Sequence, residues 1–149
     1  MTELAIAIAW ERQEDELKPG KYSNAHLIAF DQMHRIRGDA APDWGGDPAH
    51  TNPEQALAAA LSSCHMMTFL ALAAKAKWPV ARYSDKAVAG LGKNSGGSMA
   101  ITSIALHPKV EFDDGFDMGP DMLSSMHEKA HRYCFVANSL GNEVKMTVK

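Results

Sequence analysis

The sequence predicts an α+β fold: an antiparallel sheet packed on two main helices within one domain spanning residues 1–149. Three observations lead there. Apolar residues alternate at period two near both ends and in the middle of the chain, as in half-buried strands. A charge-free run from Gln55 to Ala74 follows a well-formed helix start. A later segment repeats its apolar residues at three- and four-residue spacing.

Taken in order, Leu4, Ile6, Ile8 and Trp10 alternate with alanines and predict an opening strand. After the turn at Lys18-Pro19-Gly20, Tyr22 to Phe30 and His34 to Gly38 read as one or two more strands of a meander. Asp39 to Thr51 has no periodicity and is a loop of a length that usually carries a function. Asn52 then caps a helix, Pro53 takes its first position where no N–H is needed, and Gln55 returns a bond. This helix is expected to run to about Lys77, to be stopped by Pro79, and to be buried on all sides. Val80–Leu91 and Ser98–Phe112 predict a strand pair around the turn Gly92–Gly97, with Ile104, Leu106, Val110 and Phe112 inward. Leu123, Met126, Ala130, Tyr133 and Ala137 mark a second helix from about Pro120 to Tyr133 or slightly beyond, and Val144, Met146 and Val148 a closing strand.

Composition narrows the function. Fifteen basic against eighteen acidic side chains, a net charge of -3 and no basic cluster argue against nucleic acid or an anionic membrane as partner. The Gln55–Ala74 run is long enough to span a bilayer. It also carries Ser62, Ser63, Cys64, His65 and Thr68, and the remaining segments alternate as soluble elements do, so a core helix is the expectation. Met1–Trp10 contains Glu3 and lacks a basic start, which is not the pattern of a signal peptide. The expected address is cytoplasmic, where Cys64 and Cys134 are either inert core thiols or redox groups rather than a structural disulfide.

Two constellations carry possible chemistry. His127-Glu128-Lys129-Ala130-His131 matches the H-E-x-x-H pattern of zinc hydrolases, with Cys134 on the same side of the helix. The extended motif fails, since Cys134 stands where Gly is wanted and Ala137 where the third His is wanted. The expectation is therefore no metal, with a zinc hydrolase built on His127, Glu128 and His131 as a third reading. The second constellation is the cysteine pair itself, for which spacing alone leaves core packing and catalysis both open.

The blocks Thr51-Asn52-Pro53-Glu54-Gln55, Ala59-Ala60-Leu61-Ser62-Ser63-Cys64-His65-Met66 and Ala130-His131-Arg132-Tyr133-Cys134-Phe135-Val136-Ala137-Asn138-Ser139 resemble the OsmC/Ohr superfamily of osmotically inducible and organic-hydroperoxide-resistance proteins, in an OsmC-like branch. The resemblance implies a thiol-dependent peroxidase that reduces organic hydroperoxides to alcohols in oxidative-stress defence, without metal or organic cofactor and recharged by an external dithiol. Carried over by position, Cys64 is the peroxidatic thiol, Cys134 the resolving thiol and Glu54 a supporting acid. In the family that acid holds an Arg beside the reactive sulfur. No Arg stands at the corresponding places here; Arg37, ahead of the loop, is the candidate, and exposed strand charge is its other reading. His26 and His65 are further candidates for tuning the thiol. Ten residues of helix rise about 15 Å, so Glu54 and Cys64 of one chain cannot touch the same peroxide. The resemblance also implies an interwoven homodimer, in which Glu54 and the Arg of one chain meet Cys64 of the other. The rival expectation is an OsmC-fold protein that no longer catalyses and binds a small lipophilic ligand.

Overall fold

The computed structural model describes residues 1–149, which form two compact units, Met1–Ala56 and Leu57–Lys149. The first unit is an antiparallel meander of β1 (Ala7–Ala9), β2 (His26–Ala29) and β3 (Arg35–Gly38). Only the last part of the alternating Leu4–Trp10 segment is strand, because β2 offers backbone partners to Ala7, Ile8 and Ala9 alone. His26 and Gly38 face each other across β2 and β3, and the absent side chain matters: a Cβ on Gly38 would lie 2.5 Å from His26 Nε2. The loop after β3 is tied down by Asp39, whose carboxylate accepts the N–H groups of Ala40 and Asp47 and which is held below the usual Asp range by these bonds, chiefly that from Asp47.

Helix α1 (Pro53–Lys75) starts at the expected cap, with the Asn52 side chain accepting the Gln55 N–H at 2.8 Å, but the expected return bond is corrected: the Gln55 side chain accepts from the Thr51 hydroxyl at 3.4 Å instead. It ends where Lys77 takes a left-handed φ of 60° and Trp78 N–H reaches back to Ala73 C=O. By length and composition α1 would suffice to cross a bilayer. The expectation of burial on all sides is corrected, because only the stripe Ala58, Leu61, His65, Phe69 and Ala73 is buried and Met67 is 58% exposed. Spacing of three and four residues puts these five on one face, which is the side that meets the rest of the second unit.

The expected strand pair is four strands: β4 (Val80–Ser84), β5 (Val88–Lys93), β6 (Met99–Leu106) and β7 (Lys109–Phe112). β5 pairs with β6 and β4 with β7, both antiparallel, so one long hairpin is interrupted in each arm. The interruption has a side-chain cause. Asp85 takes the His107 N–H at 2.6 Å and the Ser62 hydroxyl at 2.5 Å, while Pro108 has no N–H to continue the ladder. Helix α2 (Pro120–Tyr133) is followed by a short α3 (Phe135–Ser139), and β8 (Lys145–Val148) closes the sheet by pairing parallel to β6. The sheets are thus antiparallel except at this last strand. Two cores result. Leu61, Ile104, Leu106, Cys134 and Ala137 pack in one, and Phe69, Ala73 and Ala130 in the other.

Candidate functional site

Cys64 lies in the middle of α1, half-buried against the first core, and Cys134 is fully buried within it; both are free thiols. Cys134 is brought there by a break in the helix. Helix α2 stops at Tyr133, Cys134 turns extended at φ -73° and ψ 117°, and its Sγ accepts the Ala137 N–H at 3.4 Å as the cap of α3. His127, Ala130, Cys134 and Ala137 are all buried, so one stripe continues across the break and points the sulfur inward.

The two thiols face each other closely enough to hydrogen-bond, and their environments pull them apart in acidity. Burial works to raise Cys64, but the Val136 N–H, the Cys134 thiol and the Phe135 N–H outweigh it and hold it below the usual thiol range, while the nearby Thr68 hydroxyl donates to Cys64 C=O at 2.9 Å. Two of these donors are the first free N–H groups of α3, a setting that favours a thiolate. All three donors are neutral groups. Cys134 goes the other way: burial first, then its bond to Cys64, push it up to about 11. Cys64 is thus the more acidic sulfur of the two, and Cys134 the one that keeps its proton and donates it in a hydrogen bond to Cys64.

Glu54 occupies the first turn of α1 with a buried Oε2 that has no hydrogen-bond partner. Arg37 is exposed on β3 opposite Leu27 and borders a cavity of about 320 Å³ with Glu11, His26 and His50. His26 bonds through Nδ1 to Asn24 C=O at 2.7 Å.

The H-E-x-x-H segment does not form a metal centre. No three His, Cys, Asp or Glu groups are gathered for an ion, and Glu128 is exposed. His127 instead meets His65: Nδ1 of one and Nε2 of the other are 3.0 Å apart, with the rings nearly parallel at 9°. Phe69 stacks on His127 with centroids 4.4 Å apart. Burial keeps both imidazoles neutral at pH 7, lowering His65 and bringing His127 to about 4. His65 therefore faces α2 rather than Cys64's donors. Sequence reasoning missed this pair, α3 and the Val136 and Phe135 donors; the one available signal was the spacing of 127, 130, 134 and 137, which continues past the expected end of α2.

The comparisons agree with this architecture. Residues 45–149 match the family model described as OsmC-like protein. No curated protein matches the chain. Among solved structures, an OsmC-like protein of unknown function from Vibrio cholerae is 38% identical, with a TM-score of 0.90 over 100% of this chain and 99% of its own. An organic hydroperoxide resistance protein OsmC from Legionella pneumophila has the same fold at 18% identity and TM-score 0.70, covering 100% of this chain and 99% of its own. The organic hydroperoxide resistance protein OhrB of Bacillus subtilis does so at 17% identity and TM-score 0.70, covering 97% and 96%. With the family model covering most of the chain, the sequence blocks around Cys64 and Cys134 and the α+β topology converge: the chain belongs to the OsmC-like family.

Proposed function

We propose that the protein is a cysteine peroxidase for organic hydroperoxides. The observation that carries this reading is the acidity difference within one thiol pair, Cys64 lowered and Cys134 raised to about 11. The Cys64 thiolate attacks the terminal peroxide oxygen, the O–O bond breaks, and the alkoxide leaves as an alcohol after taking one proton. The Cys64 sulfenic acid is then attacked by the Cys134 sulfur, water departs and a disulfide forms. An external dithiol returns both thiols by exchange. Donors at the start of α3 do part of the work that the family assigns to an Arg. The orphaned buried oxygen of Glu54 is the place for a cation, supplied in a homodimer by Arg37 of a second copy. The exposed side of α1, with Met67, gives that second copy an apolar face to cover. A reducing cytoplasm suits two free thiols and a dithiol reductant.

One equivalent of cumene hydroperoxide should convert the reduced protein to an intramolecular Cys64–Cys134 disulfide, seen by non-reducing peptide mass spectrometry. Free thiols after treatment would overturn the peroxidase reading. They would favour the rival one, a fold-conserving protein that binds a lipophilic ligand without catalysis, which the absence of a charged group among those that lower Cys64 supports. Light scattering at micromolar concentration tests the dimer, and a well-folded monomer would remove the cross-subunit role of Arg37.

A further inference from the structure

We propose that the cavity between α2 and β8 is a binding site for a carboxylate carrying an apolar tail, separate from the thiol pair. The cavity holds about 540 Å³, and neither Cys64 nor Cys134 borders it. Its lining combines two chemistries. Leu123, Met146 and Val148 supply apolar lining, and His127, His131, Arg132 and Lys149 supply imidazole and cationic groups, with Glu128 a carboxylate among them. Neither Arg132 nor Lys149 makes an ion pair within the protein.

His127 supplies the directional element, and its proton is placed by a group on the far side. The Nδ1 of His65 is buried without any hydrogen-bond partner. A buried N–H without an acceptor is the rarer and more costly of the two ways to leave that nitrogen, so it is the bare one. The His65 proton then sits on Nε2 and is donated to His127 Nδ1 at 3.0 Å. His127 in turn carries its own proton on Nε2, the edge of the ring that is left for the cavity it borders. This side chain is only 6% exposed, so its donor is fixed in direction by the hydrogen bond from His65 and the stack on Phe69. A fixed neutral N–H beside a guanidinium suits one carboxylate, with Arg132 able to bind it through two parallel bonds. The apolar lining of Leu123, Met146 and Val148 accepts an aliphatic chain.

Octanoate, octanol and octylamine, which share one tail, test the site by calorimetry on the reduced protein, with the histidine ring nitrogens followed by NMR. Octanoate should bind at least tenfold more tightly than octanol and octylamine. Exposed Arg132, as Arg132→Gln, should lose at least tenfold for octanoate and nothing for octanol. The His127 resonances should report a proton on Nε2 and move on octanoate addition. Equal affinity for the three probes, indifference to Arg132→Gln, no binding of octanoate, or a proton on His127 Nδ1 would each overturn the proposal. Because no peroxide is involved, the outcome does not depend on whether the thiols turn over.

Discussion

Cys64 and His65 are neighbours on α1, and each is paired with a residue of the α2–α3 segment, yet the two pairs are opposites. A step of one residue rotates the side chain by about 100°. That rotation turns Cys64 to the start of α3, where unspent N–H groups collect, and His65 to the flank of α2, where Phe69 and Tyr83 pack. In the thiol pair the surroundings separate the partners' acidities. In the imidazole pair burial moves both the same way, toward the neutral form. The polarised pair is suited to exchanging electrons, and the uniform one to holding α1 against α2. What separates the two pairs is therefore the supply of backbone donors, since both are buried or half-buried.

The contrast is broken most completely at Cys64. Cys64→Ser should lower peroxide turnover by more than about a hundredfold, since it removes the attacking atom. Cys134→Ser should allow one turnover and then over-oxidation of Cys64 to the sulfinic acid, read by mass spectrometry. A Cys134→Ser protein that turns over normally would show that the two thiols are not partners.

The structural pair is attacked through the ring that packs on it. Phe69 is fully buried against His127, Trp78 and Tyr83, so Phe69→Ala should cost about 3–5 kcal/mol of folding stability in urea denaturation. A loss under about 1 kcal/mol would mean that α1 is held elsewhere.

Acid should loosen the same pair more gently. Both imidazoles titrate lower in the folded chain than the ordinary value of about 6.5, so the unfolded chain binds more protons as pH falls below that value. Stability is fully present above pH 6.5, falls with pH below it, and levels off once His127 also protonates in the folded protein, near pH 4. Asp85 opposes the fall, whereas His131 adds to it at His65. The expected loss is about 2–3 kcal/mol, and His127→Phe should flatten it. An unchanged slope in that variant would assign the acid sensitivity to other groups.

Alkylation sharpens the comparison at the smallest scale. Iodoacetamide at pH 7 should modify Cys64 more than about tenfold faster than Cys134, a ratio reduced below the thiolate ratio because a more acidic thiolate is a weaker nucleophile. Equal rates would remove the acidity difference.

How much of this was legible in the sequence depends on the range of the interaction. The start of α1 was, because Asn52, Pro53 and Gln55 act within one turn. The body of α2 was, from periodicity, but its stop at Tyr133 was not, since the apolar spacing runs on to Ala137. The interruptions at Asp85 and Pro108 were not, because they depend on a carboxylate reaching His107 and Ser62, each more than twenty residues away. The single buried stripe of α1 was hidden by composition: alanine on every face gives no sign of which face is covered. The Cys64–Cys134 partnership was visible only through family resemblance, and the partner of His65, 62 residues distant, not at all.

The break at Cys134 makes spacing as much a determinant as residue identity. His127 and Cys134 are seven residues apart, two helical turns to within about 20°, so imidazole and sulfur are read from the same face of one ruler. A single residue inserted between them would put the sulfur about 100° out of phase while leaving every side chain in place by name. Tyr133, now 59% exposed, would turn toward the interior, and the cap of α3 would fall to a residue with no sulfur. The segment from His127 to Cys134 should therefore accept substitutions on its outer face far more readily than any change of length.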